Sequence, residues 1–170
     1  MISEKIMHLY LVQHGASKSE QEDPQRRLTA RGIGEVQYVA NFLRTLKLTV
    51  DAVWHSGKAR ARQTAELLAE AVGARDQIVQ REGLGPKDRV ATAKEALGQT
   101  TGEVMVVGHL PFLSKLVALL VTGSEENEIV EFRFGSVVCL ERRDEGKWKI
   151  AWMITPRFFT SDAAVSEYNP

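Results

Sequence analysis

The chain has 170 residues, which is enough for one domain with a full hydrophobic core. Lys plus Arg and Asp plus Glu number 22 each, so the formal net charge is zero. No overall positive field therefore favours binding to nucleic acid or to an anionic membrane. The hydrophobic fraction of 44% and the charged fraction of 26% are ordinary for a soluble globular protein.

The cysteine content and the apolar runs predict the compartment. The single Cys139 has no partner for an internal disulfide, which favours a reducing compartment. Glu4 and the short apolar run before Gly15 do not match a secretory signal, and the run from Leu116 to Val121 is too short to cross a bilayer. We therefore expect a cytoplasmic protein that forms one domain over residues 1–170.

The first predicted elements are a strand over residues 7–13 and a polar loop over 16–28. Thr29 is typical of a helix N-cap, because its hydroxyl accepts hydrogen bonds from backbone N–H groups of the next turn. A short second strand is predicted over 51–55. The helix between these strands has apolar residues at a period near 3.6, namely Ile33, Val36, Val39, Ala40, Leu43 and Leu46.

The second predicted helix covers roughly residues 58–72, with Ser56 as its cap and Gly73 at its end. Ile78 and Val79 form a brief third strand, and a turn over 83–86 follows it.

A third helix is predicted over 87–98, a fourth strand over 103–107 and a fourth helix over 110–122. Pro111 suits the first turn of that last helix, and Gly123 suits its end.

The end of the chain changes character. Two strands, over 131–140 and 148–154, flank the turn Asp144-Glu145-Gly146, and residues 158–170 are predicted to be irregular. Strands that alternate with helices indicate a mainly parallel sheet covered on both faces. The predicted fold is thus a three-layer α/β/α sandwich, in which the hairpin adds antiparallel strands to the sheet.

Polar groups follow three of the predicted strands: His14, the segment Ser56 to Arg60, and His109. The carboxyl ends of parallel strands meet at one edge of the sheet, where α/β proteins bind ligands. Neutral imidazole is a good nucleophile towards phosphorus, and arginine presents a planar fork of donors that matches phosphate. The pattern therefore predicts phosphate chemistry in which His14 attacks while Arg60 and His109 hold the phosphoryl group.

Each of these residues also has a plainer interpretation. His14 could cap a strand end, and Arg60 could lie on a solvated helix face; Arg62 points about 200° away from Arg60 around the helix. A metal site at the two histidines is disfavoured, because no cysteine cluster or HExxH spacing accompanies them. Glu82, after the third strand, is either a general acid or a solvated loop carboxylate.

Together these segments resemble the histidine phosphatase superfamily, also called the phosphoglycerate-mutase-like fold. That family has Arg-His-Gly after the first strand, Ser-x-x-x-Arg-Ala-x-Gln-Thr-Ala after the second and Gly-His after the fourth. This chain has Gln13-His14-Gly15, Ser56 to Ala65 and Gly108-His109 at those places. The stretch from Leu28 to Gly32 is similar to the family's opening of its first helix, and the resemblance covers roughly residues 7–155.

Within the family, the short chain, the sequence Gly108 to Pro111 and the ending from Trp148 to Pro156 are similar to the bacterial phosphohistidine phosphatases. The resemblance implies that no metal or other cofactor is needed. It also implies a set of site residues: His14 as the phosphate acceptor, Arg60 and His109 as catalytic and phosphate-binding residues, Gln13 and Gly15 at the phosphate, and Glu82 as the proton donor.

The expected activity is removal of phosphate from phosphohistidine in proteins, with inorganic phosphate released from the site. Few residues separate the third strand from the third helix, where mutases and small-molecule phosphatases of the family use longer segments as a cap. An uncapped site would admit a side chain of another protein. Two alternatives stay open: a phosphatase for small phosphate esters, and a phosphate- or phosphoprotein-binding module.

Gln13 is the main departure from the family pattern, which has arginine there. Glutamine donates a neutral hydrogen bond but has no charge and no guanidinium. Loss of one charge-assisted contact, about 1.5–3 kcal/mol, predicts roughly 10- to 150-fold weaker transition-state binding. We expect Arg26, Arg27 or Lys18 from the following loop to restore the positive charge.

Overall fold

The computed structural model describes residues 5–144 and 146–160. No helix among these residues is both long and apolar enough to cross a bilayer. The described elements are, in chain order, β1 Ile6–Gln13, α1 Ala30–Thr45, β2 Ala52–His55, α2 Ala59–Ala69, β3 Ile78–Gln80, α3 Val90–Gly98, β4 Val104–Gly108, α4 Phe112–Thr122, β5 Val137–Arg143, β6 Lys149–Ile154 and a 3-10 helix, Pro156–Phe158.

All six strands form one sheet in the order β3-β2-β4-β1-β5-β6. The pairs β3/β2, β2/β4 and β4/β1 are parallel, whereas β1/β5 and β5/β6 are antiparallel. The predicted α/β fold with a mainly parallel mixed sheet is thereby confirmed. Because β2, β4 and β1 are immediate neighbours, their carboxyl ends lie side by side at one edge.

Both faces of the sheet are covered, which gives the predicted three layers. Tyr10 and Val12 of β1 belong to a core cluster that also contains residues of α1 and α2. Leu9 and Leu11 belong to a second cluster with residues of α3 and α4. Successive strand residues point to opposite faces, so this alternation places β1 between two helical layers. A strand buried on both faces reads as a continuous apolar run, as this one does.

Several helices begin later than the periodicity predicts. Residues 87 and 88 form a turn, in which the Asp88 carboxylate accepts a hydrogen bond from the Gly85 backbone N–H at 2.7 Å, so α3 starts at Val90. The Leu110-Pro111 peptide is cis, and Pro111 is the N-cap of α4 rather than a residue of its first turn. The second helix is shorter than predicted at both ends, and Gly73 ends the turn that follows it.

The predicted strand over 131–140 is wrong in its first half. Residues 133–136 form a turn, because Ser136 N–H donates to the Arg133 carbonyl at 2.9 Å and Gly135 has a φ of 73°. The strand β5 therefore starts at Val137. Two other predictions lie outside the described residues: Glu145 of the hairpin turn, and the irregular conformation of 161–170.

Two glycines of α1 differ in what surrounds them. The predicted cap is confirmed, since Thr29 Oγ1 accepts from Gly32 N–H at 2.9 Å. A Cβ on Gly32 would overlap the carbonyl oxygen of Ala16, in the loop that follows β1. A Cβ on Gly34 would meet nothing within 4 Å. Gly32 thus allows α1 to approach the backbone just after β1.

We predict that Gly32→Ala lowers the free energy of unfolding by about 1–3 kcal/mol, because the added methyl forces two backbone segments apart. The matched control, Gly34→Ala, should raise it by about 0.5–1 kcal/mol, because alanine costs less conformational entropy in a helix. Urea unfolding of both variants checks this. Equal midpoints would show that the close approach to Ala16 has no energetic weight.

Candidate active site

The three polar strand ends meet as the sequence predicts. Gln13 of β1 pairs with Gly108 of β4, and His55 of β2 pairs with Val107 of the same strand. The residues that follow these strands are therefore neighbours at the carboxyl edge of the sheet. The ring centroids of His14 and His109 lie 5.0 Å apart, although 95 positions separate them in the chain.

Hydrogen bonds determine which nitrogen of His14 is available. Nδ1 lies 2.7 Å from the carbonyl oxygen of Gly15. A carbonyl only accepts, so Nδ1 carries the proton and Nε2 keeps its lone pair. Arg60 Nε donates to that Nε2 at 3.2 Å. The lone pair of a buried imidazole, 6% exposed, is thus directed at the guanidinium of Arg60.

Burial keeps both histidines neutral. It is the main cause that lowers the pKa of His14 to about 4, and the charges of Arg60 and Arg26 lower it further, against the opposing effect of the Gly15 carbonyl. Burial also lowers the pKa of His109 to about 3, with His14, Arg60, Lys58 and Arg26 adding to the effect. Neutral imidazole is the nucleophilic form, so His14 is in its reactive protonation state near pH 7.

His109 has one nitrogen in use and one spare. Its Nε2 hydrogen-bonds the Ser56 hydroxyl at 2.6 Å, while its buried Nδ1 has no partner. Three buried side-chain polar atoms lack a hydrogen-bond partner among the described residues. His109 Nδ1 is one of these three atoms, and Gln13 Oε1 is another. A buried group without a partner costs about 1–3 kcal/mol, so these two strand ends hold unused hydrogen-bonding capacity.

The predicted role of Ser56 as a helix cap is wrong. Lys58 is the residue that precedes α2, and it makes no side-chain capping bond. The Ser56 hydroxyl lies 2.6 Å from His109 Nε2, and it also accepts from the Lys58 backbone N–H at 3.4 Å, before the helix begins. Sequence spacing could not distinguish these roles, because the partner lies 53 residues away along the chain.

Two further residues of α2 hold the loop after β1. Thr64 Oγ1 donates to the carbonyl of Arg60 at 2.7 Å and accepts from Gly15 N–H at 3.0 Å. Gln63 Oε1 accepts from the backbone N–H of Leu28 at 2.8 Å. The helix that carries Arg60 is thereby coupled to the loop that carries His14. A Cβ on Gly15 would lie 2.8 Å from Val36 Cγ2, so this position requires glycine.

The comparisons with known proteins agree with this geometry. The family profile of the histidine phosphatase superfamily (branch 1) matches residues 9–85. Phosphohistidine phosphatase SixA of Escherichia coli (strain K12) is 28% identical over 155 residues, which are 88% of this chain and 94% of that protein. An uncharacterised protein of Picosynechococcus sp. (strain ATCC 27264 / PCC 7002 / PR-6) is 32% identical over 125 residues, 69% of this chain and 74% of that one.

A solved structure of the protein histidine phosphatase SixA complexed with tungstate has the same fold. The TM-score is 0.80 at 24% sequence identity, over 91% of this chain and 100% of that one. The chain belongs to the histidine phosphatase superfamily. The resemblance predicted from the sequence is confirmed, and the chain is classed with phosphatases, which are hydrolases.

One of the three loop cations predicted to restore positive charge beside Gln13 acts on the two histidines. Arg27 forms an ion pair with Asp23, in which Arg27 Nε lies 2.8 Å from a carboxylate oxygen of Asp23. The charge of Arg26, in contrast, lowers the pKa values of His14, His109 and Arg60. Arg26 has a φ of 50°, and its Nε donates to the carbonyl of Lys18 at 3.4 Å. Of the three predicted cations, Arg26 is the one whose charge reaches the histidines.

The remaining predicted residues lie apart from this cluster. Arg62 is exposed and pairs with Glu66 at 3.6 Å, so it faces away from Arg60 as expected. Glu82 is exposed in the turn after β3 and makes no hydrogen bond or ion pair with any residue that the structure describes. Its role as a proton donor for this histidine phosphatase stays a prediction. Within residues 5–144 and 146–160, no group of three or more His, Cys, Asp or Glu side chains is arranged to hold a metal ion.

Phe134 is a site residue that the sequence analysis missed. Its ring centroid lies 5.4 Å from that of His14, on the face opened by the turn before β5. No motif marks this position in the sequence, and it lies within the strand predicted over 131–140.

We predict that acidification from pH 6.5 to pH 4 destabilises the protein. The unfolded histidines take up protons near pH 6.5, whereas folded His14 does so only near pH 4, so the unfolded state binds more protons in this window. The shift at His14 corresponds to about 3 kcal/mol. Urea unfolding across this pH range should show a smaller loss in His14→Gln than in the wild type; identical pH profiles would contradict the pKa assigned to His14.

Proposed function

We propose that the protein removes phosphate from phosphohistidine in proteins, through a phosphohistidine intermediate on His14. The observation that carries this proposal is the lone pair of the neutral His14 Nε2, fixed by the Gly15 carbonyl and directed at Arg60. Similarity to a protein named phosphohistidine phosphatase, and to a structure of such a protein with the oxyanion tungstate, supports it.

The reaction has two displacements. His14 Nε2 attacks phosphorus, and the bond from phosphorus to the substrate imidazole breaks as the new N–P bond forms; the leaving ring takes up a proton. Water then attacks phospho-His14, releases inorganic phosphate and restores neutral His14. Arg60, now on the phosphoryl oxygens, and the neighbouring imidazole of His109 stabilise the charge that moves onto those oxygens.

The position of Glu82 favours phosphohistidine over small phosphate esters. A leaving alkoxide needs a proton from an acid within hydrogen-bond reach in the transition state. An imidazole leaving group has a reference pKa of about 6.5 and needs much less help. Glu82 is exposed and has no hydrogen bond to a described residue that would fix its position, so a substrate with an easy leaving group suits this site.

Arg26 supplies the positive charge that position 13 lacks. Gln13 is 6% exposed and neutral, so it contributes at most its amide hydrogens to a phosphoryl group. The loop that carries Arg26 is held in place by Asp23, which accepts from the backbone N–H groups of Gln25 and Arg27. The Leu28–Gln63 hydrogen bond fastens the same loop to α2.

We predict that incubation with 32P-labelled phosphohistidine places an acid-labile, base-stable label on the wild-type protein and none on His14→Ala. His8→Gln is the matched control and should keep the label, because His8 pairs with Glu103 away from the strand ends. Labelling is read after rapid quenching in base. A wild type that binds phosphate without label or turnover would be a phosphate-binding module rather than a phosphatase.

We predict that Arg26→Gln lowers kcat/KM for phosphohistidine by about tenfold, the size of one charge-assisted contact. Gln13→Arg should restore most of that loss in the double variant, because it returns a guanidinium to the site. Arg62→Gln, an exposed arginine of α2, should change kcat/KM less than twofold. Steady-state kinetics of the wild type and these three variants test this. An unchanged kcat/KM in Arg26→Gln would remove Arg26 from the site.

A further inference from the structure

A groove of about 400 Å³ opens beside the nucleophile. Its floor includes Ala16, two residues after His14, and Phe134, whose ring packs against the His14 ring at 5.4 Å. Pro156 adds a third apolar surface, and the rim carries hydroxyl and charged side chains. Neither His14 nor His109 lines the groove, so it is a neighbour of the candidate active site and not the site itself.

Counted over the described residues alone, the charged side chains on the rim leave a positive excess. Arg31 pairs with Glu35 at 2.8 Å, and Arg133 pairs with Glu131 at 2.7 Å. Arg157 also lines the groove, and it makes no ion pair with any residue in the described part of the chain. The groove therefore offers an apolar floor beside a guanidinium that has room for a carboxylate.

The depth of the nucleophile argues for a polypeptide in this groove. His14 is 6% exposed, so a phosphorylated side chain must reach inward while the backbone that carries it stays outside. A small ester has no part that would fill a neighbouring groove, and 400 Å³ lies within the range of ligand pockets. Phe158, in the same 3-10 turn as Arg157, is 73% exposed, and aromatic and arginine side chains are those that dominate protein interfaces.

We propose that this groove binds the segment next to the phosphohistidine of a substrate protein, taking an apolar side chain on the floor formed by Ala16, Phe134 and Pro156 and an Asp or Glu carboxylate at Arg157. The inference rests on the proposed function and adds a preference for acidic flanking sequence. Arg157 is a specificity residue in this scheme and takes no part in phosphoryl transfer.

The test uses three substrates: free phosphohistidine, and two nine-residue peptides in which phosphohistidine is flanked by leucine and by either glutamate or lysine. The wild type should show a kcat/KM about tenfold higher for the glutamate peptide than for the lysine peptide. Arg157→Glu should abolish or reverse that preference and change kcat/KM for free phosphohistidine less than twofold. Arg75→Glu, in an exposed turn between α2 and β3, is the matched control and should change neither.

Three results would overturn the proposal. One is equal kcat/KM for the two peptides. Another is a preference that survives Arg157→Glu. The third is a preference that appears only in a variant ending at Thr160, which would assign the groove to residues 161–170 of this chain.

If no phosphohistidine compound is hydrolysed, the proposed function fails, and the groove is tested separately. Calorimetry then measures the Kd of the unphosphorylated glutamate peptide for the wild type and for Arg157→Glu. A Kd about tenfold weaker for Arg157→Glu than for the wild type supports the groove, and equal Kd values overturn it.

Discussion

The hydrogen bond from His14 Nδ1 to the Gly15 carbonyl is the constraint on which the rest of the site depends. It leaves Nε2 unprotonated, and it requires the backbone after β1 to fold back towards the ring. That backbone path exists only because Gly15 fits against Val36 and Gly32 fits against Ala16. Gly15 after β1 and Gly32 in α1 therefore allow the backbone path that leaves the lone pair on His14 Nε2.

The electrostatics of the site favour an incoming anion. The two buried imidazoles stay neutral. The charges of Arg60, Arg26 and Lys58 lower the pKa of His109, and those of Arg60 and Arg26 also lower the pKa of His14. Within residues 5–144 and 146–160, no carboxylate contributes to the pKa shift of either histidine. An oxyanion would relieve the repulsion between the Arg60 and Arg26 guanidiniums. The same bound anion would raise the pKa values of both histidines, because it favours their charged form.

Much of the fold could be predicted from the sequence, because strand and helix periodicities, the Thr29 cap and the glycine after α4 are local signals. The meeting of His14 and His109 followed from one topological rule about the carboxyl ends of parallel strands. What could not be predicted depends on contacts between distant residues. Ser56 hydrogen-bonds His109 across the site in addition to the Lys58 backbone N–H, and a turn at Gly135 replaces half of a predicted strand.

Gln13 and Arg26 differ in how folding affects the charge that each position can carry. A guanidinium at position 13 would be buried and would pay a desolvation cost on folding, whereas Gln13 is neutral there. Arg26 keeps its charge in water, on an exposed loop, so folding is not penalised by its burial. An exposed charge is screened by salt more than a buried one. A site that relies on Arg26 should therefore lose affinity for anions at high ionic strength more steeply than one built on a buried arginine.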